Sequence, residues 1–449
     1  MKKLLLSLFI IASIAKQTQA QIITTVAGNG YGAGGTGGYS GDGGQATNAE
    51  LNWPDGLSLD GMGNLYIVDN YNNRVRIVNT NGIISTIAGD GGVTNSGDGG
   101  PATAAGIYNP RAIAIDNFGN VCVSEAAGNV VRKINTNNII STIVGNGTHG
   151  YSGDGGQATN AELNYSLGLT LDAVGNIYVA DAGNGYIRMV NTNGIISTIA
   201  GNGTSAWSGD GGLATNAGIG TPMGLTFDAA GNLYISDNYN NRVRIVYYSE
   251  TAGGLIINTI AGGGSSLNDG GAATNDNIWP GFMATDGIGN LYIADEQNAR
   301  IRKVNTNGVI STIAGNSTSA WSGDGGLATN AGIGVPEGLA FDAAGNLYIS
   351  DHYNHVVRKI TNVAQQAGIE QFATNKEQLT IYPNPSTGSI QVSYTNSMDE
   401  LKVSNMLGQV VYEAKPSSTS TNVQIDNAGV YFITITSGAS ISTQKVIVQ

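Results

Sequence analysis

The sequence predicts an all-β protein: a six-bladed β-propeller closed by its own N-terminal strand, then a small Ig-like β-sandwich. Three observations carry this expectation. Glycine supplies 67 of 449 residues and charged residues only 12%, a composition of many tight turns and close backbone approaches. The stretch Gly63-Asn-Leu-Tyr-Ile-Val-Asp-Asn-Tyr-Asn-Asn-Arg-Val-Arg-Ile-Val78 recurs, its opening Gly-Asn pair falling at 63, 119, 175, 231, 289 and 345. The spacings of 56, 56, 56, 58 and 56 mark six copies of one unit, at a period where repeats build propellers or solenoids. Finally, one strand of the repeat is missing from the end of the array and present at its start.

The chain begins with basic Met1-Lys-Lys3, an apolar run of 12 residues from Leu4 to Ala15, and the small-residue pattern Thr18-Gln19-Ala20. These are the three parts of a secretory signal peptide over 1–20, cleaved between Ala20 and Gln21. Twelve apolar residues are too few to cross a bilayer comfortably. No other long apolar run exists, so no transmembrane span is expected.

Within the first unit, Gly56–Asp60 alternates as a short strand a, Leu65–Val68 reads as strand b, Arg74–Val78 as strand c and Ile83–Ala88 as strand d. Apolar, β-branched runs between Gly/Asn/Asp turns are strand-and-hairpin signals, and a four-stranded antiparallel meander is one propeller blade. Strands a, b and c occur six times, but d follows only the first five copies, at 83–88, 139–144, 195–200, 256–261 and 309–314. Ile22-Ile-Thr-Thr-Val-Ala27 looks like a strand d with no a, b or c before it. It is expected to complete the sixth blade and leave no open edge.

Two charged positions repeat in every unit. Asp60, Asp116, Asp172, Asp228, Asp286 and Asp342 stand three residues before the Gly-Asn turn, where an Asp can accept its own turn's N–H groups. Arg76, Arg132, Arg188, Arg244, Arg302 and Arg358 each follow an acid by seven residues: Asp69, Glu125, Asp181, Asp237, Asp295 and Asp351. Six matching copies point to a structural ion pair, whereas catalysis would single out one blade.

The pattern Pro-x-Gly-Leu-x-x-Asp-x-x-Gly-Asn-Leu-Tyr-Ile-x-Asp-x-x-Asn-x-x-Val-Arg resembles that of NHL-repeat propellers. The insert Ser-Gly-Asp-Gly-Gly-x-Ala-Thr-Asn-Ala between units is also seen in bacterial members. The resemblance covers residues 22 to about 360. It implies a six-bladed propeller used mainly as a binding or scaffolding surface, with amidating lyases and lactonases among relatives of similar shape.

The connections from d to the next a carry Gly-Asp-Gly-Gly with Asp at 42, 98, 154, 210 and 324, reduced to Asp269-Gly-Gly in copy five. They are too short and too poor in carboxylates for an EF-hand-type calcium loop. Capping of a Gly-rich turn by the Asp is the plain expectation, with Ala-Thr-Asn-Ala packing on the next blade. Antiparallel alternation puts these connections and the b–c loops on one face, and loop-rich faces carry function. Candidate binding residues there are Tyr71, Tyr239 and Tyr353 in the b–c loops, with Trp207 and Trp321, and also Tyr39 and Tyr151, beside the Gly-Asp-Gly-Gly segments. Loop aromatics suit sugars or peptides, or they plug gaps between blades. Just before the Gly of innermost strand a, the residue varies: Asp55, Arg111, Leu167, Met223, Gly281, Glu337. Asp55, Arg111 and Glu337 are therefore candidates at the channel mouth.

A propeller lyase needs several His ligands, and the chain has only His149, His352 and His355. Asp55 and Glu337 could serve a lactonase-type metal site at the mouth, with Arg111 beside them. The repeats break their symmetry little, so no catalytic residue, metal or cofactor is assigned, and the lyase or lactonase is the rival reading. Cys122 is the lone cysteine, which excludes an internal disulfide. The net charge of −12, with three lysines over 21–360, excludes nucleic acid as a partner.

The repeat region is taken as 21–361 and the polar stretch 362–378 as a linker. The remainder, 379–449, holds six or seven short strands, which suits a small β-sandwich. It closely resembles the C-terminal sorting domain of type IX secretion cargo, through Tyr382-Pro-Asn-Pro-Ser-Thr-Gly388, Asn405-Met-Leu-Gly-Gln409, Gly429-Val-Tyr-Phe432 and Lys445-Val-Ile-Val448. The resemblance implies export to the outside or outer-membrane surface of a Gram-negative cell. The expectation is a monomeric, non-catalytic binding module whose partners are an extracellular glycan, peptide or protein and the type IX machinery.

Overall fold

The computed structural model describes residues 20–363, 379–382, 386, 388–394, 397–405, 410–427, 429–437 and 440–448. The signal peptide before Ala20, linker residues 364–378 and parts of the 382–388 and 405–409 motifs lie outside them. The chain divides between Ala367 and Gly368 into two compact units.

The first unit consists of six four-stranded antiparallel sheets. In sheet one, a is Pro54–Leu59, b is Leu65–Asp69, c is Arg74–Val78 and d is Ile84–Ala88. Strand a starts earlier than the alternation suggests because Pro54 pairs with Asp69 across a bulge that precedes Leu57. The same bulge interrupts the a–b ladder of all six sheets. An extra residue there turns side chains out of the pleat, which matters at the channel mouth.

Sheet six takes its outer strand from the other end of the unit. Ile23–Ala27 pairs antiparallel with Val356–Ile360, setting Ile23 opposite Ile360. The orphan strand of the sequence thus covers an edge that would otherwise expose a row of unpaired N–H and C=O groups. Sheet four has a longer c–d hairpin, from Arg242–Ser249 to Gly254–Gly262, and a shorter connection follows it. Together they produce the 58-residue spacing.

Apolar residues gather between successive sheets. Val68 and Val75 of sheet one join Ile113 and Val123 of sheet two, and the series continues to Ala27 and Val357 of sheet six with Leu57, Ile67 and Ile84 of sheet one. The first strands of neighbouring sheets touch in turn, and that of sheet six touches that of sheet one. Each Ala-Thr-Asn segment forms one 3-10 turn, as at Ala46–Asn48. Ala46 and Ala49 are buried with Ala27 and Ile84, wedging the connection between two sheets.

The second unit has a three-stranded sheet, Thr380–Tyr382, Ser389–Ser393 and Ser420–Gln424, and a four-stranded sheet of Val410–Ala414, Glu400–Asn405, Gly429–Ser437 and Ser440–Val448. Ile390, Val392, Leu401, Val403, Val423 and Ile433 share one core. Among the described residues no helix is long and apolar enough to cross a membrane.

Candidate binding face and channel mouth

The repeated arginine of strand c is fully buried in every sheet. Arg76 donates through Nη1 to Asp69 Oδ2 at 3.1 Å and through Nη2 to Asp42 Oδ1 at 2.7 Å and Ser40 O at 3.1 Å. The acid seven residues earlier is thus one partner, as the spacing implies. The second is the Asp of Gly-Asp-Gly-Gly, expected to cap its turn. That Asp instead bridges to arginine as Asp98–Arg132, Asp154–Arg188, Asp210–Arg244 and Asp324–Arg358. In sheet five both Asp269 and Asp276 reach Arg302. A buried guanidinium needs such bracketing, because desolvation of an unpaired charge costs several kcal/mol. Burial pushes Asp69 up to about 6 although Asn72, the Asn52 N–H and Arg76 all favour the carboxylate.

At the channel mouth the bulge brings together side chains that share no repeat. Asp55 Oδ2 lies 2.8 Å from Arg111 Nη1, and Glu337 Oε1 lies 4.0 Å from Arg111 Nη2. Asp55 and Glu337 are buried, while Arg111 keeps 14% of its side chain exposed. A third carboxylate, Glu296 of the sheet-five b–c loop, joins them and is partly exposed. It fits because sheet five has Gly281 where others carry a side chain. A Cβ there would lie 2.5 Å from Glu296 Oε1. Burial pushes Asp55 to about 6 and Glu296 to about 8, against the opposing pull of Arg111. Burial, then Glu296 and Asp55, drive Glu337 well above the carboxylate range. At neutral pH Glu296 and Glu337 therefore retain protons, while Asp55 faces Arg111 largely as the carboxylate. Leu167 and Met223 make the opposite side of the mouth apolar. Beneath lies a cavity of about 360 Å³ lined by strand-a residues, among them Ser58, Thr170, Thr226, Phe282 and Phe341.

The aromatic candidates divide in two. Beside the Gly-Asp-Gly-Gly segments, Tyr39 lies 3.8 Å under the Arg74 guanidinium and its hydroxyl meets Asp42 and Thr86. Tyr151 stacks on Tyr186 at 4.2 Å. Trp207 lies 4.2 Å under Arg242 and donates its Nε1–H to Thr259. Trp321 closes over Gly30. Tyr39, Tyr151 and Trp207 have committed their polar atoms, and all four rings keep 38–43% of their surface exposed. In the b–c loops, by contrast, Tyr71 and Tyr239 are 62% and 67% exposed. Tyr353 is half-buried and meets Trp53 edge-on at 6.0 Å. Trp53, which the sequence reading did not single out, also tilts against Tyr71 at 5.6 Å and meets His352 edge-on at 4.6 Å.

The histidines serve the seam between sheets six and one. His355 Nδ1 accepts the Trp53 N–H at 2.9 Å, so its Nε2–H donates to Gly32 O at 3.1 Å. His355 occupies the place of Asn73 and Asn129, whose side-chain oxygens accept the equivalent N–H of Asn109 and Tyr165. His352 Nδ1–H donates to Pro54 O at 3.0 Å, and burial lowers its pKa to about 3. It is a neutral ring at any ordinary pH. His149 stands apart in an exposed loop. Among the described residues no group of three His, Cys, Asp or Glu is arranged to hold a metal ion.

Comparison with known proteins places this geometry. Residues 11–96, 91–152 and 147–206 match the Teneurin NHL domain, and residues 380–449 match the Secretion system C-terminal sorting domain. Chicken Teneurin-1 is 33% identical over 237 residues, 47% of this chain and 8% of that protein. Human Teneurin-4 is 30% identical over 233 residues, 46% of this chain and again 8% of the relative. The chain thus spans less than a tenth of these relatives' length. Among solved structures, a protein of unknown function from Bacteroides thetaiotaomicron aligns with a TM-score of 0.56 at 18% identity, covering 76% of each chain. An auxiliary nutrient binding protein from the same organism gives 0.56 at 17% identity over 76% of each chain. Those likenesses concern the fold. Residues 11–206 thus carry NHL repeats, and residues 380–449 a secretion-system C-terminal sorting domain.

Proposed function

We propose that residues 21–361 form a six-bladed propeller that acts outside the cell as a non-catalytic binding module, receiving its ligand on the face of the b–c and d–a loops. The cyclic contact of the six first strands and the strand supplied by Ile23–Ala27 support the closed ring. One observation carries the functional reading. Side chains that repeat faithfully elsewhere diverge at the mouth, where Asp55, Arg111, Glu296 and Glu337 cluster, and exposed Tyr71 tilts against Trp53, two residues before Asp55. The auxiliary nutrient binding protein that shares the fold agrees with this reading. Residues 379–449, read as a small Ig-like sandwich after the 362–378 linker, serve export by the type IX route, following cleavage between Ala20 and Gln21. The mature monomer is then released or held at the outer-membrane surface of a Gram-negative cell.

Two measurements test this. Deleting 380–449 in a host with type IX secretion is expected to trap the chain in the periplasm, and unchanged export would defeat the sorting role. Thermal unfolding of the secreted chain is then followed against panels of glycans and peptides. A ligand-induced rise, diminished by changes at the mouth or in the b–c loops, is expected. A ligand whose effect ignores every loop-face substitution would place binding elsewhere.

A further inference from the structure

Each carboxylate at the mouth has been taken out of water without receiving a full set of partners. Asp55 keeps both side-chain oxygens without a hydrogen-bond donor, its contact with Arg111 being an ion pair only. No other side chain or backbone group donates to Glu296 Oε1 or Glu337 Oε2, whose two carboxyls lie within hydrogen-bonding reach of each other, and Arg111 Nε has no acceptor. Asp55 and Glu337 are more than nine-tenths buried. Leaving a buried acceptor unsatisfied costs stability, because its desolvation goes uncompensated. Fifteen buried side-chain atoms among the described residues share this state, and five belong to these four side chains. The other large group is the Nε of the strand-c arginines, whose guanidinium ends are bracketed.

Two further features sit at the same place. Gly281 clears the space into which Glu296 folds. Two residues before Asp55, Trp53 is fixed at three points: its N–H to His355, its Nε1–H to Gly35 O at 3.1 Å, and its ring against His352. His352, against which the Trp53 ring packs, also bonds the carbonyl of Pro54, the residue before Asp55, so the two rings adjoin the chain segment that carries this carboxylate.

We propose that the mouth is a saccharide subsite in which Glu296 and Glu337 accept ligand hydroxyls, Arg111 donates to a ligand oxygen, and Trp53 with Tyr71 covers a sugar face. This rests on the loop face being the binding face. A sugar brings donors and acceptors on one ring together with an apolar C–H face, the combination the site leaves open. An ammonium ligand fits less well, because Arg111 already occupies the cation position between Asp55 and Glu337. A carboxylate ligand would meet three acids.

The test is isothermal titration of the secreted chain with neutral di- to hexasaccharides cut from glucan, xylan, mannan and galactan, with lysine methyl ester as the cationic control. At least one saccharide is expected to bind, and Glu296→Gln and Tyr71→Ala each to weaken it tenfold or more. Gly281→Val, which displaces Glu296, is expected to do the same. Phe118→Ser, in an a–b turn away from the mouth, leaves affinity unchanged. Thermal unfolding confirms that each variant is folded, and Tyr71→Ala, in an exposed loop, keeps the test usable if the buried variants fail. Saccharide binding indifferent to these three changes overturns the inference, and so does lysine methyl ester binding in a saccharide's place. If no saccharide binds at 10 mM (~) while a peptide still raises the unfolding temperature through the loop face, the inference fails and the binding module stands. If nothing engages that face, both fall.

Discussion

The six strand-c arginines and the single Arg111 of the mouth make opposite use of the same chemistry. In strand c, each guanidinium faces one fully buried acid and one that is partly exposed, an arrangement that returns in every sheet and gains a third acid, Asp276, at Arg302. At the channel mouth, Arg111 faces Asp55 and Glu337 in an environment with a third carboxylate, and nothing equivalent occurs in other repeats. The strand-c brackets tie each sheet to its own connection. The mouth cluster leaves acceptors open and carries protons at neutral pH. Repetition marks what the architecture needs six times, and its interruption marks what the molecule does once.

The contrast can be broken most forcefully at Arg188. Arg188→Ala leaves Asp181 uncompensated beside Asp154 and is expected to cost about 3–5 kcal/mol in denaturant unfolding. A loss below about 1 kcal/mol would show that these brackets do not hold the sheets. Next comes pH. Asp55 moves from 3.8 up to about 6 and Glu296 from 4.5 up to about 8. Folding therefore favours their protonated forms. Their stabilising contribution is complete below about pH 4 and is lost as pH rises through 6 to 8, on the order of 3 kcal/mol for a two-unit shift. Unfolding temperature should fall across that window, and less steeply in Asp55→Asn with Glu296→Gln. An identical slope in the double variant would assign the effect to other groups, such as Asp351, raised by burial to about 7. Arg111→Met should cost less at pH 5 than at pH 8, since protonated acids need no cation. Asp154→Asn, at the 40% exposed end of its bracket, is expected to cost about 0–1 kcal/mol. Smallest is Tyr239→Ala, within about 0.5 kcal/mol in unfolding, because its ring packs little.

Much of the fold was legible because each unit repeats its pattern. Strand c was read as Arg74–Val78 and found there, and the orphan run 22–27 proved to be the outer strand of sheet six. The second partner of each arginine was missed, although the constant 34-residue interval from Asp42 to Arg76 and from Asp98 to Arg132 was visible in the sequence. The interval has no meaning until the connection is known to fold back on its own sheet. Asp55, Arg111 and Glu337 were legible as variation at one position. Glu296 was not, because it stands one residue after the strand-b acid, where Asn70, Asn238 and His352 bond the next sheet's proline carbonyl. Only the pairing of Glu296 with the missing side chain at Gly281 signals its role, and that pairing is spatial. Trp53 was passed over because its place in the repeat is held elsewhere by Asn109 and Thr221.

The strand that closes sheet six gives the molecule an order in time. Ile23 pairs with Ile360, 337 positions later (360 − 23), so the earliest strand of the first unit waits for its last. Sheets one to five are each local hairpins and can form as they appear, whereas the final seam requires a chain-long loop to close, a slow event in topologies rich in distant pairings. Until then Val356–Ile360 offers a bare edge able to pair with another chain. A copy broken off before its last repeat never reaches closure, so the seam separates finished molecules from fragments without any dedicated inspector.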